Sequence, residues 1–149
     1  MINFVLAITN FTAFFPLRTC FLLEDWLTFV ILAWVTFFSF MSHLLMCHKH
    51  KLNSPFGNYY GLSYWLNQMD VLGCFLVGGR FIYKFYEIFI LGDAIWEFDI
   101  YLILLTFVFL IINQLSERNN GLWYCYLHAI WHMGIYLIID GWIIFFYLA

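Results

Sequence analysis

The residues able to do chemistry open the last apolar run of the chain, Tyr124-Cys-Tyr-Leu-His128-Ala-Ile-Trp-His132-Met-Gly134. Histidines four residues apart share one face of a helix. Ionisable side chains in a membrane-length apolar run are costly, so a pair of them in register needs a reason. Metal binding, haem ligation and hydrogen bonding between helices all supply one. Two earlier apolar runs carry possible partners: Ser39 and His43, again four apart, and Asp70 near the middle of a third run.

Three neutral imidazoles at about 2.0–2.1 Å from a zinc ion, with the fourth position left to water, are a standard open catalytic arrangement. Such an ion brings the pKa of water to about 7. His43, His128 and His132 are the candidate ligands. Asp70 is a candidate to orient a ligand or take a proton, and Ser39 to donate to a developing oxyanion. The reaction would be hydrolysis of an amide or ester presented from lipid. Two other readings compete. Polar side chains in spans often serve only as hydrogen-bonding glue between helices. A haem would take His43 and one late histidine, leaving the other without a role. His48 and His50 read as solvated loop residues beside lysines, and Asp140 as a helix-to-helix hydrogen bond.

The elements that must position these groups are membrane helices. The 149 residues are 65% hydrophobic and only 10% charged, with mean hydropathy +0.88, which excludes a soluble domain and implies a polytopic membrane protein. The four cysteines stand singly, suggesting neither a disulfide framework nor a thiolate zinc site. A net charge of -3 and six dispersed Lys and Arg residues form no basic patch, which sets nucleic acid aside as a partner. The first apolar run lacks a basic leader and a small-residue cleavage site, so it reads as a span rather than a signal peptide.

Five crossings are expected, at residues 3–17, 26–47, 59–79, 100–115 and 121–149. A polar joint at 18–25, a loop at 48–58 and a tight loop at 116–120 separate some of them. Residues 80–99 are expected to extend the third helix or lie in the interface. The chain is then a single all-α transmembrane bundle over 1–149. Parity matters for the site. His43 lies at the exit end of span two, and spans three and four form a down-and-up pair, so span five begins on the side where span two ended. His43, His128 and His132 can therefore meet at one depth, with Asp70 at a similar depth by the rise of 1.5 Å per residue. Basic residues are balanced between the two sides, so orientation is left open.

Ser39-x-x-x-His43, the run Asn67-Gln-Met-Asp70-Val-Leu-Gly73 and His128-x-x-x-His132 follow the order seen in the CREST superfamily of membrane hydrolases, which the chain resembles. That superfamily includes alkaline ceramidases, adiponectin-type receptors and GPI-anchor-processing phospholipases. The likeness is greatest to the branch of myomaker and those phospholipases, through Tyr124 to His132 and Leu6-Ala-Ile-Thr-Asn10-Phe-Thr-Ala-Phe-Phe-Pro16, and it covers roughly residues 5–78 and 120–135. It implies a zinc site on the three histidines, with roles for Ser39 and Asp70. Superfamily members have seven spans, so two are missing here, and Leu44 and Leu45 stand where the family often has small and Cys residues.

Two function classes follow. One is an accessory or structural subunit of a larger membrane assembly that keeps the zinc site. Brevity and the two missing spans favour burial among partner subunits, and few lysines with abundant Phe, Ile and Tyr suit, by composition, a mitochondrial inner-membrane subunit of an energy-transducing complex, with endomembrane or plasma membrane as alternatives. The other is a zinc-dependent lipid amidase or esterase. A haem-binding membrane anchor comes third.

Overall fold

The computed structural model describes residues 2–45, 60–88 and 100–148. It is all-α, with no strand among the described residues. The N-terminal span is one continuous path through α1 (Ile2–Thr9), a 3-10 turn (Asn10–Ala13) and α2 (Phe14–Leu22). Pro16 explains the turn. A proline inside a helix lacks the donor N–H and crowds the carbonyl four residues earlier, here that of Thr12, and the tighter winding absorbs the mismatch. The Thr9 and Thr12 hydroxyls donate to Leu6 O at 2.7 Å and Thr9 O at 2.6 Å. Each thus meets its hydrogen-bonding need within the helix, as an apolar surrounding requires. Helix therefore runs past Pro16 and Arg18, and the expected joint shrinks to Leu23–Asp25.

Glu24 takes a left-handed conformation there (φ 57°), and Asp25 starts α3 (Trp26–Leu45). Its Oδ1 accepts from the Thr28 amide at 3.1 Å, which satisfies one of the donors orphaned at a helix start. Helix α4 (Tyr60–Tyr86) returns along α3, so the third helix is extended well beyond residue 79. A Cβ at Gly73 would lie 2.8 Å from that of Val35, so the two backbones approach where glycine permits it. Seven residues away on each helix, Arg80 meets Thr28. This antiparallel register carries Asp70 opposite Phe38 and Ser39.

Helix α5 (Ile100–Glu117) and α6 (Gly121–Leu148) form a second antiparallel pair. The Phe109 ring occupies the space beside Gly134, and Leu102 packs on Gly141, again seven residues apart on both helices. Trp142 Nε1 donates to Thr106 Oγ1 at 3.1 Å. Ser116 and Glu117 belong to α5 rather than to the loop expected at 116–120, because the Ser116 hydroxyl finds Asn113 O at 2.7 Å within the helix.

The N-terminal span packs against both α3 and α6 and so bridges the two pairs. An apolar core of Ala13, Cys20, Leu32, Val35, Tyr136, Ile139 and Ile143 fills the join. Near the other end of α4, Phe81 and Phe85 pack edge-on against Phe146 and Trp142. Phe4–Leu22, Trp26–Leu45 and Gly121–Leu148 are long and apolar enough to cross a membrane. Helix α5 is shorter, and α4 is long but diluted by Asn67, Gln68, Asp70 and Arg80. Cys47, His48, His50, the loop expected at 48–58, and Asp93, Glu97 and Asp99 lie outside the described residues.

Candidate metal centre

His43 comes from the last turn of α3, and His128 and His132 from successive turns of α6. All three are buried, at 4%, 5% and 2% exposure. His43 Nε2 stands 3.2 Å from His132 Nε2 and 3.2 Å from His128 Nε2. An ion at about 2.0–2.1 Å from two such nitrogens subtends an angle of roughly 100° between them, near the tetrahedral value. The group can therefore hold a metal ion. No carboxylate or thiolate joins it among the described residues.

The outer nitrogens of two of the rings have partners. His132 Nδ1 lies 3.2 Å from Thr9 Oγ1 on α1. His128 Nδ1 lies 3.1 Å from Ser116 Oγ on α5, with Glu117 Oε1 at 4.0 Å. Tyr124, one turn before His128, stacks on its ring at 4.8 Å between centroids. Four helices thus converge on the cluster: α3 and α6 bring imidazoles, and α1 and α5 bring hydroxyls. Nothing in the sequence marks either hydroxyl: Ser116 falls where a loop is expected, and a threonine on a span carries no distinctive signal. The register of α5 against α6 is what joins Ser116 to His128.

Between the α3/α4 and α5/α6 pairs lies a cavity of about 270 Å³. His132, Ser39 and Asp70 stand among its lining residues, and the rest is mostly apolar, including Val35, Phe81, Leu110 and Trp142. The structure therefore gathers Ser39, Asp70 and His132 around one space, beside the point on which the three Nε2 atoms converge. The expected helix-to-helix hydrogen bond of Asp140 is not seen at its Oδ1, which is buried with no hydrogen-bond partner among the described residues.

A second polar cluster ties the opposite end of the α3/α4 pair. Arg80 Nη2 donates to Asp25 Oδ1 at 3.1 Å and Oδ2 at 3.3 Å, while its Nε donates to Thr28 Oγ1 at 3.0 Å. Burial alone would push the Asp25 carboxyl up. The Thr28 hydroxyl and amide and the Arg80 guanidinium outweigh it and hold the group below its usual value.

Fold and cluster together define an all-helical bundle of membrane type with a buried three-histidine group able to bind a metal. The chain belongs to the family represented by an uncharacterized protein of Acanthamoeba polyphaga mimivirus. The two are 34% identical over 143 residues, spanning 91% of this chain and 92% of the relative. No family model and no solved structure matches the chain.

Proposed function

We propose that this protein is a zinc-dependent hydrolase of lipid amides or esters, with His43, His128 and His132 as ligands, Asp70 as proton acceptor and Ser39 as oxyanion donor. The observation that carries the reading is the convergence of three buried Nε2 atoms beside an apolar cavity that also holds Ser39 and Asp70. Hydrogen bonding alone accounts poorly for the cluster. His43 Nε2 faces two Nε2 atoms at 3.2 Å each, and one N–H serves one acceptor well, whereas a single cation suits three nitrogens directed at one point. Haem fits less well too, since axial ligands stand on opposite faces of a porphyrin and these rings crowd one point.

A zinc ion in such a site supplies Lewis acidity, enough to polarise a carbonyl and bring the pKa of water to about 7. The chain's own residues do the rest. The cavity wall holds an alkyl chain and excludes bulk water. The Asp70 carboxylate takes a proton as water oxygen bonds to the carbonyl carbon, and the Ser39 hydroxyl donates to the carbonyl oxygen as charge develops there. Asp70 then returns the proton to the departing nitrogen or oxygen as its bond to carbon breaks, leaving a carboxylic acid and an amine or alcohol. The resemblance to the CREST superfamily supports this reading through the order of Ser39, His43, Asp70, His128 and His132. The test is hydrolysis of a ceramide and of a phospholipid analogue by purified protein, lost on chelation and restored by zinc. Zinc-loaded protein inactive on both classes would remove the hydrolase reading.

A second reading, an accessory subunit of a larger membrane complex, is favoured by α4. This helix packs mainly on α3 and leaves Gln68 exposed within its length, flanked by exposed Trp65 and Leu72. A polar amide facing hydrocarbon is costly and is normally covered by a neighbouring helix. The mitochondrial inner membrane, suggested by composition, belongs with this reading. Mild detergent extraction tests it: stoichiometric co-purification of other membrane subunits supports an accessory role, and recovery of the chain alone opposes it.

A further inference from the structure

We infer that Thr9 and Ser116 are positioning residues that fix the tautomers of His132 and His128 so that both Nε2 lone pairs point at a bound metal. The inference rests on the metal reading above and assigns a role to two hydroxyls which that reading leaves unused. A hydroxyl has one proton to give. The Thr9 hydroxyl donates its proton to Leu6 O at 2.7 Å, and the Ser116 hydroxyl donates its own to Asn113 O at 2.7 Å. Each oxygen therefore meets the nearby imidazole as an acceptor, at 3.2 Å from His132 Nδ1 and 3.1 Å from His128 Nδ1.

The proton on each ring must then reside on Nδ1. A neutral imidazole carries only one, so Nε2 is left as a lone pair. On both rings that lone-pair nitrogen is the one facing His43 Nε2 at 3.2 Å. Metal-ligating histidines characteristically donate their second N–H to an oxygen, which sets ring orientation and raises ligand basicity. Here the carbonyl capturing each hydroxyl proton belongs to the same helix as the hydroxyl, so the acceptor role is built into α1 and α5 before any metal arrives. Ser116 is fully buried, which keeps water from competing for the His128 proton. Thr12 supplies the internal contrast. It donates to Thr9 O at 2.6 Å in the same local pattern, yet its hydroxyl meets no histidine among the described residues.

The experiment is a zinc titration against a competing chelator on the full chain in detergent micelles, with cobalt(II) absorption in the visible as a readout of tetrahedral coordination. Thr9→Val and Ser116→Ala are each expected to weaken zinc binding by about 10- to 100-fold and to distort the cobalt spectrum. Thr9→Ser, which keeps the hydroxyl, should restore both, and Thr12→Val should change neither. Helix content by circular dichroism and the Thr9→Ser variant separate a misfolded chain from a misoriented ligand. Unchanged zinc affinity in Thr9→Val and Ser116→Ala, with the parent binding zinc through its histidines, overturns the inference and leaves the metal reading standing. A parent that binds no zinc, or a His132→Ala variant that binds it as well as the parent does, overturns both.

Discussion

His43 Nε2 on α3 and His132 Nε2 on α6 stand 3.2 Å apart although 89 residues separate them in the chain. The distance matches two corners of a tetrahedral site, and His128 supplies a third. Zinc content of the purified chain is therefore predicted to approach one ion per molecule and to fall to background in His43→Ala or His132→Ala. Elemental analysis after dialysis checks this. Equal zinc in parent and variants would place the ion elsewhere.

Asp70 and Ser39 line the cavity beside His132 but are not among the three ligands. Asp70→Asn is accordingly predicted to keep its zinc while losing hydrolysis by about 10²- to 10⁴-fold. Ser39→Ala should lose about 10²- to 10³-fold. Measuring zinc and turnover on the same preparation separates the two effects, and loss of zinc in Asp70→Asn would mean that the carboxylate holds the site together instead.

The Asp25 and Arg80 side chains are only 5% and 12% exposed and are paired at 3.1 Å. Arg80→Met leaves a buried carboxylate without its cation and is predicted to destabilise by about 3 kcal/mol, the low end for such a break because Thr28 keeps its two bonds to Asp25. Because the folded Asp25 carboxyl is held below its usual 3.8, its contribution to stability is complete above that value and is lost as pH falls through the lower folded value. Denaturation followed by helicity from pH 6 down to pH 2 should show the loss in the parent and a shallower decline in Asp25→Asn.

Gly134 faces the Phe109 ring with no room for a Cβ. Gly134→Val is predicted to separate α5 from α6 at a cost of about 1–3 kcal/mol. It should also weaken metal binding, since the same pairing brings Ser116 to His128. Phe109→Leu in the same chain should recover part of both losses, a coupling that a double-mutant cycle measures. Additive effects would show that the two positions do not share the contact.

Much of the site was legible in the order of residues alone. Histidines four apart on a helix must share a face, and counting crossings fixes which span ends lie together, so the meeting of His43 with His128 and His132 follows from spacing and parity. The same counting puts the start of span two, with Asp25, and the end of span three, with Arg80, on one side, and the two side chains pair there. Helix ends were less legible. Pro16 and Arg18 read as an interruption, yet a 3-10 turn lets helix run on to Leu22, and Ser116 read as loop although its hydroxyl is satisfied inside α5.

Apolar periodicity and spacing determined an all-helical membrane-type bundle and the identity of its histidine cluster, because both depend on local repeat and chain direction. Only the tertiary structure decided which hydroxyls orient the imidazoles and which space adjoins them. Those depend on register between helices, set where Gly73 admits Val35 and Gly134 admits Phe109. Register is a matter of side-chain volumes meeting across helices, so it is resolved only when the helices pack.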